Sequence, residues 1–206
     1  MIGSQLRPVV GRIADPLVNK LHAWGVTPDA VTAVGTVGVV SAALVFFPRG
    51  HFFVGTVVIT LFVLTDAIDG ALARKRGTTS PFGAWLDSSC DRVADGAVFG
   101  SIALWYAGRG DDDVLLALTL FVLVSAFVVS YEKARAEGLG MTCNVGMADR
   151  TARLLILLVP TGLVGLGVPD VLLAASLWVL AVLSGATTVQ RLLEVRRQAV
   201  LHSGAA

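Results

Sequence analysis

Long apolar runs separated by short polar turns set the pattern of this chain. Six can be drawn: Val26 to about Phe47, Phe52 to Arg76, Phe82 to Tyr106, Val114 to about Glu132, Arg150 to Leu166, and Val171 to about Val195. Each is near the ~20 residues an α-helix needs to cross the hydrocarbon core of a bilayer. The breaks carry turn chemistry: Pro48-Arg49-Gly50-His51, Gly77 to Pro81, Gly108-Arg109-Gly110 with three aspartates, the polar stretch Lys133 to Asp149, and Gly167-Val168-Pro169. Thr27 reads as an N-cap with Pro28 at the first helical position. Ahead of the first run, residues 4–22 are mixed. Ile13, Leu17 and Leu21 recur every four residues with Arg12 and Lys20 off that face, the pattern of a helix lying on a membrane surface. The expected fold is therefore an all-α integral membrane protein. Six transmembrane helices (residues 26–200) follow an interfacial amphipathic helix (residues 1–25), and residues 201–206 form a tail.

Composition agrees. The chain is 55% hydrophobic and only 15% charged, against about a quarter charged in soluble domains. The net charge of +1 gives no reason to expect a nucleic-acid partner. Cys90 and Cys143 have no metal-type spacing and read as free thiols. No cleavable signal peptide is expected, because the polar N-terminus has no early apolar core. Of the 16 Lys and Arg, only Arg49 and Arg109 fall in loops on one side. The others gather at the N-terminus, around Arg74 to Arg76, over Lys133 to Arg153 and at the C-terminus. With six spans this bias places both termini on the cytoplasmic face of the cell membrane.

Chemistry concentrates between Asp66 and Asp91. Asp66 and Asp69 are three apart and Asp87 and Asp91 four apart, so each pair shares a helical face. The short loop between the two helices makes them expected antiparallel neighbours, on which all four carboxylates converge. Like charges this close raise one another's pKa unless a cation neutralises them. Oxygen-only donors favour Mg²⁺ or Mn²⁺, and four carboxylates suit two ions, a familiar device of phosphoryl chemistry. Gly70 and Gly83 remove side chains where a bulky anion would approach, and Arg74 offers a fork to phosphate. Asp66 lies roughly 12 Å deeper than Arg74 along the helix. The site would sit just inside the cytoplasmic surface rather than at the midplane, which argues against the alternative of an ion-coupled transporter. Asp95 continues the Asp87–Asp91 face and reads as a supporting, paired carboxylate.

The run Asp66-x2-Asp69-Gly70-x2-Ala73-Arg74-x8-Gly83-x3-Asp87-x3-Asp91 resembles, without departure, the signature of the CDP-alcohol phosphotransferase family. The resemblance implies a two-metal site in which Asp66, Asp69 and Asp87 bind metal. Asp91 would be the general base and also touch the second ion. Gly70, Ala73, Arg74 and Gly83 would cradle the CDP moiety of CDP-diacylglycerol, with Ser80 in the same pocket. Asp29, Ala30, Val31 and Thr32 would close over the nucleotide. The family also suggests a homodimer, for which Gly96 and Gly100 on the third run form a small-residue contact motif.

The signature leaves the acceptor alcohol open. Tyr131-Glu132-Lys133-Ala134-Arg135, Ala148-Asp149-Arg150-Thr151-Ala152-Arg153 and Gln190-Arg191 together resemble those family members whose acceptor is inositol 1-phosphate. That resemblance implies that Lys133, Arg153 and Arg191 bind the acceptor phosphate. Arginines set back from the surface suit a phosphorylated acceptor; flanking charge that contacts membrane lipids is the alternative. The expected reaction moves phosphatidyl from CDP-diacylglycerol to inositol 1-phosphate, giving phosphatidylinositol phosphate and CMP. Members that take glycerol 3-phosphate are the nearest alternative.

Overall fold

Thr27 and Pro28 start the first long helix as the sequence predicts. In the computed structural model, which describes residues 15–203 (only as backbone at Asp66, Ala67 and 201–203), the Thr27 side chain accepts from the Ala30 N–H at 3.3 Å. The described elements are helical: α1 (15–23), α2 (Pro28–Phe46), a 3₁₀ turn (Phe47–Arg49), α3 (Phe52–Val63), α4 (Thr65–Arg76), α5 (Pro81–Ala107), α6 (Asp113–Gly138), α7 (Arg150–Val164) and α8 (Val171–Ser203). They divide into two compact units at Ser101 and Ile102, with α5 contributing to both.

In the first unit α2 packs along α3 and α4. Glycines make that approach possible: a Cβ on Gly35 would collide with the Thr65 hydroxyl, and one on Gly38 with the Phe62 ring. The second apolar run is not one helix. It divides at Leu64, where the Thr65 hydroxyl donates to the Phe62 carbonyl at 2.6 Å and competes for an acceptor of the helical ladder. At the turn between α2 and α3, Phe47 and Phe52 meet edge-to-face, 5.9 Å apart, and both are buried. α1 lies on α4 and α2: Val18 and Leu72 are buried, with Leu21, Val31, Ile68 and Ala71 packed against them. Its inner face thus carries Val18 and Leu21, while Leu17 is 44% exposed. A four-residue spacing drifts by some 40° per repeat on a 3.6-residue helix, so Leu17 and Val18 share the choice of face. Ile13 and Arg12 of the expected stripe lie outside the described residues.

In the second unit α8 packs along both α6 and α7. Val122, Ala126 and Val129 of α6, Leu157 of α7 and Leu173, Leu177 and Leu180 of α8 form its apolar interior. Three buried hydroxyls of this unit return to their own helices. Thr119, Thr161 and Ser176 each donate at 2.7 Å to the carbonyl of Leu115, Leu157 and Leu173 respectively, which satisfies them without water.

Among the described residues, four helical segments are long and apolar enough to cross a membrane: Pro28–Arg49, Phe52–Arg76, Asp113–Gly138 and Val171–Val200. Their apolar side chains point outward as well as inward, with Val34, Val37, Leu61, Val124 and Val182 all more than half exposed. α5 has the length but carries Asp87, Asp91, Arg92 and Asp95. α7 has 15 residues, about 22 Å of helix, short of the ~30 Å hydrocarbon core. α6 and α8 continue past the expected ends at Glu132 and Val195, because the polar residues that follow are good helix formers. A Cβ added to Gly100 would meet nothing within 4 Å, so no close backbone approach inside the described chain explains that glycine.

Candidate active site

α4 brings Asp66, Asp69, Gly70, Ala73 and Arg74 onto one helix and ends at Gly77, whose φ of 64° lets its N–H reach the Ala73 and Arg74 carbonyls. The last turn is fixed from outside. Arg76 donates to the His22 carbonyl at 3.1 Å and the Gly25 carbonyl at 3.4 Å, and Lys75 donates to the Asn19 side chain. The basic end of α4 thereby caps the carbonyl end of α1 and holds α4 against it.

Asp69 is 6% exposed and accepts a 2.5 Å hydrogen bond from the Thr32 hydroxyl of α2, itself 7% exposed. The Thr32 hydroxyl also lies 3.2 Å from the Pro28 carbonyl. This joins the first turns of α2 to the Asp69 carboxylate of α4. The bond has a charged acceptor and is buried, so Thr32→Val is expected to cost about 1.5–3 kcal/mol. A lower thermal unfolding midpoint in detergent, largely restored by Thr32→Ser, is the readout. Equal midpoints for the Val variant and the parent would contradict it.

A second convergence lies at the start of α5. The Ser80 hydroxyl accepts from the Gly83 N–H at 3.0 Å. A Cβ on Gly83 would stand 3.3 Å from the Ser80 oxygen and 3.6 Å from an Asp29 carboxylate oxygen. Asp29, Ser80 and Gly83, from two helices and a loop, therefore frame one small space. On α4, a Cβ on Gly70 would lie 3.4 Å from the Arg74 Nη1, so this guanidinium folds back over the glycine. Of the predicted 29–32 segment, Asp29 and Thr32 reach these groups, whereas Val31 packs into the α1–α4 cluster and Ala30 is exposed.

On α5, Asp87 is exposed and Asp91 is half-buried, with its Oδ2 3.4 Å from the Arg92 Nη2. Asp95, one turn on, is 1% exposed. α4 and α5 are not a closely packed pair among the described residues. The donor set suits a hard divalent cation, being carboxylate oxygen throughout. Among the described residues no three Asp, Glu, His or Cys side chains gather as a metal site, the Asp66 carboxylate being outside that description. The metal assignment thus rests on donor type, helical spacing and the glycine cradles.

The predicted acceptor residues lie in the second unit. Arg153 is 2% exposed in the first turn of α7, which Asp149 caps by accepting from the Ala152 N–H at 2.8 Å. Its Nη1 donates to the Ala148 carbonyl at 2.7 Å. Arg191 is 7% exposed, donating from Nε to the Val145 carbonyl at 3.1 Å and from Nη1 to the Val129 carbonyl. Lys133 sits nearer the surface, 3.8 Å from Glu137. Burial separates Arg153 and Arg191 from the exposed Arg196 and Arg197.

Sequence reasoning missed the structure of residues 139–149. This stretch folds back onto α8: Thr187 accepts from Met147 and Ala148, and Gln198 exchanges two hydrogen bonds with the Thr142 backbone, at 3.0 and 2.7 Å. Thr187, Arg191 and Gln198 recur at helical spacing, a periodicity of polar positions that could have revealed it. Cys143 is wholly buried in this loop; burial pushes its thiol pKa up, with Arg191 pulling the other way. It is a packed group rather than a reactive one.

The family model for CDP-alcohol phosphatidyltransferase matches residues 25–190. A phosphatidylinositol phosphate synthase of Streptomyces avermitilis is 52% identical over 204 residues, covering 96% of this chain and 84% of that protein. The enzyme of the same name from Mycobacterium tuberculosis is 44% identical over 193 residues, covering 90% and 87%. A crystal structure of the M. tuberculosis enzyme with CDP-DAG bound superposes with a TM-score of 0.86 at 44% identity, over 89% of this chain and 94% of that one. A second, in complex with manganese and citrate, gives 0.85 at 43% identity, over 88% of each.

Proposed function

The chain belongs to the CDP-alcohol phosphatidyltransferase family, and from that premise we propose that it transfers the phosphatidyl group of CDP-diacylglycerol to inositol 1-phosphate. The products are phosphatidylinositol phosphate and CMP. The observation that carries this reading is the unbroken run from Asp66 to Asp91 in a chain with 52% identity to a phosphatidylinositol phosphate synthase.

Asp66, Asp69, Asp87 and Asp91 would hold two divalent ions, Mg²⁺ or Mn²⁺, which would supply neutralisation of the pyrophosphate charge. The space framed by Asp29, Ser80 and Gly83, together with Gly70, Ala73, Arg74 and Thr32, receives the CDP moiety. Asp91 takes the proton of the acceptor hydroxyl. That oxygen bonds to the lipid-linked phosphorus as the bond from phosphorus to the CMP oxygen breaks, and Arg74 stabilises the negative charge on departing CMP. Lys133, Arg153 and Arg191 bind the acceptor phosphate, with Arg153 and Arg191 pre-set by backbone carbonyls so that little side-chain freedom is lost on binding.

The same reading has α5 and α7 crossing the membrane beside the four longer segments, making six spans. α5 tolerates its charges because they line a hydrated site, and α7 because residues 165–168 extend its apolar stretch. Both termini and the carboxylates then face the cytoplasm, α1 lies at the interface, and the chain works as a homodimer in the cell membrane.

Purified protein in mixed micelles, given CDP-diacylglycerol, Mg²⁺ or Mn²⁺, and one acceptor at a time, tests the assignment by CMP release. Inositol 1-phosphate is expected to outpace glycerol 3-phosphate, free inositol and serine. Preference for glycerol 3-phosphate would overturn the acceptor and keep the reaction; no CMP with any acceptor would overturn both.

A further inference from the structure

The two buried arginines come from different helices, yet both rest on one loop. Arg153 of α7 donates to the Ala148 carbonyl at 2.7 Å, and Arg191 of α8 donates to the Val145 carbonyl at 3.1 Å. These carbonyls are three residues apart, so the path of the chain between them fixes the separation and aim of the two guanidiniums. That path is set by Thr187, one helical turn before Arg191. Its buried hydroxyl accepts from the N–H groups of both Met147 and Ala148, at 3.2 and 3.1 Å. Between the two anchored carbonyls stands Gly146, at a φ of 110° that side chains rarely adopt, pressed so closely on the Thr187 methyl that a Cβ would collide with it. Ala148 is thus held twice, its N–H by Thr187 and its carbonyl by Arg153.

We propose that Thr187 is a positioning residue for the acceptor phosphate: through the Val145–Ala148 turn it holds Arg153 and Arg191 at the separation a bound phosphate monoester requires. The inference rests on the reading that these arginines take the acceptor. Thr187 itself touches no substrate. Its effect is confined to the second unit and should reach acceptor use without reaching the CDP pocket.

Thr187→Val keeps shape and volume and removes the acceptor oxygen, leaving two N–H groups without it. The expected result is a rise of about tenfold in KM for inositol 1-phosphate, with KM for CDP-diacylglycerol and kcat close to the parent values. Thr187→Ser, which keeps the oxygen, should restore the parent KM. A fall in thermal midpoint with both KM values unchanged would mean that Thr187 serves folding alone and overturns the proposal, as would an equal rise in both. If Thr187→Val does not fold, Gly146→Ala tests the same turn with Thr187 intact; a folded Gly146→Ala with unaltered acceptor KM also overturns it. Should the parent use glycerol 3-phosphate instead, the substrate assignment fails. A selective rise in that KM in Thr187→Val would still uphold the positioning role.

Discussion

Asp91→Asn is expected to lower CMP release by about 10²–10⁴-fold, the usual worth of a positioned general base. The substitution preserves size and polarity and removes the carboxylate that takes the proton, along with one of the four proposed metal donors. Its side-chain oxygen can still accept from Arg92, whose Nη2 stands 3.4 Å from Asp91, so the local fold should survive. The loss should fall on kcat, and CDP-diacylglycerol binding, followed by its protection against thermal unfolding, should remain. Asp69→Asn makes a useful contrast. Asp69 is buried and tied to Thr32, so its loss should weaken Mn²⁺ binding, read by electron paramagnetic resonance, as well as rate. An Asp91→Asn variant that retained a rate within a few-fold of the parent would remove Asp91 from both the base role and the metal ligands, leaving Asp66, Asp69 and Asp87 as the metal set.

Why these two aspartates differ could be read only partly from sequence. Spacing puts Asp66 with Asp69 and Asp87 with Asp91 on helical faces, and hydropathy finds the helices around them, because both are local periodicities of one chain segment. The bond from Thr32 to Asp69 joins residues 37 apart, and no local pattern encodes it. The same holds for Asp29 near Gly83, and for the turn at Leu64, where the Thr65 hydroxyl donates to the Phe62 carbonyl while Thr56 and Thr60 lie within α3. On α1, with Leu17 and Val18 adjacent, only the packing of Leu72 and Ile68 decides which is buried in the protein. Residues 139–149 read as a featureless polar loop, since their partners Thr187, Arg191 and Gln198 lie some 40–56 positions away. The arginines themselves were legible. Charge set into apolar sequence is costly, which marks Arg153 and Arg191 as candidates for a function.

Arg153→Gln is the sharpest test of that function. Arg153 is 2% exposed, begins α7 and donates to the Ala148 carbonyl. Glutamine can keep a neutral hydrogen bond to that carbonyl and cannot supply a charged fork to phosphate. Two charge-assisted bonds lost at about 1.5 kcal/mol or more each amount to about a 10²–10³-fold fall in kcat/KM for inositol 1-phosphate. Arg153→Lys, which keeps the charge and loses the fork, should fall between the parent and the glutamine variant. The control is free inositol, which shares the ring hydroxyls and lacks the phosphate. If Arg153 reads the phosphate, the Gln variant should lose activity with inositol 1-phosphate and keep whatever slow turnover the parent shows with inositol. The difference between acceptors then isolates one anion from everything else the substitution disturbs. A loss of equal size with both acceptors would assign Arg153 to the architecture of α7 and the 145–148 turn, and would leave Lys133 and Arg191 as the groups to test for the phosphate.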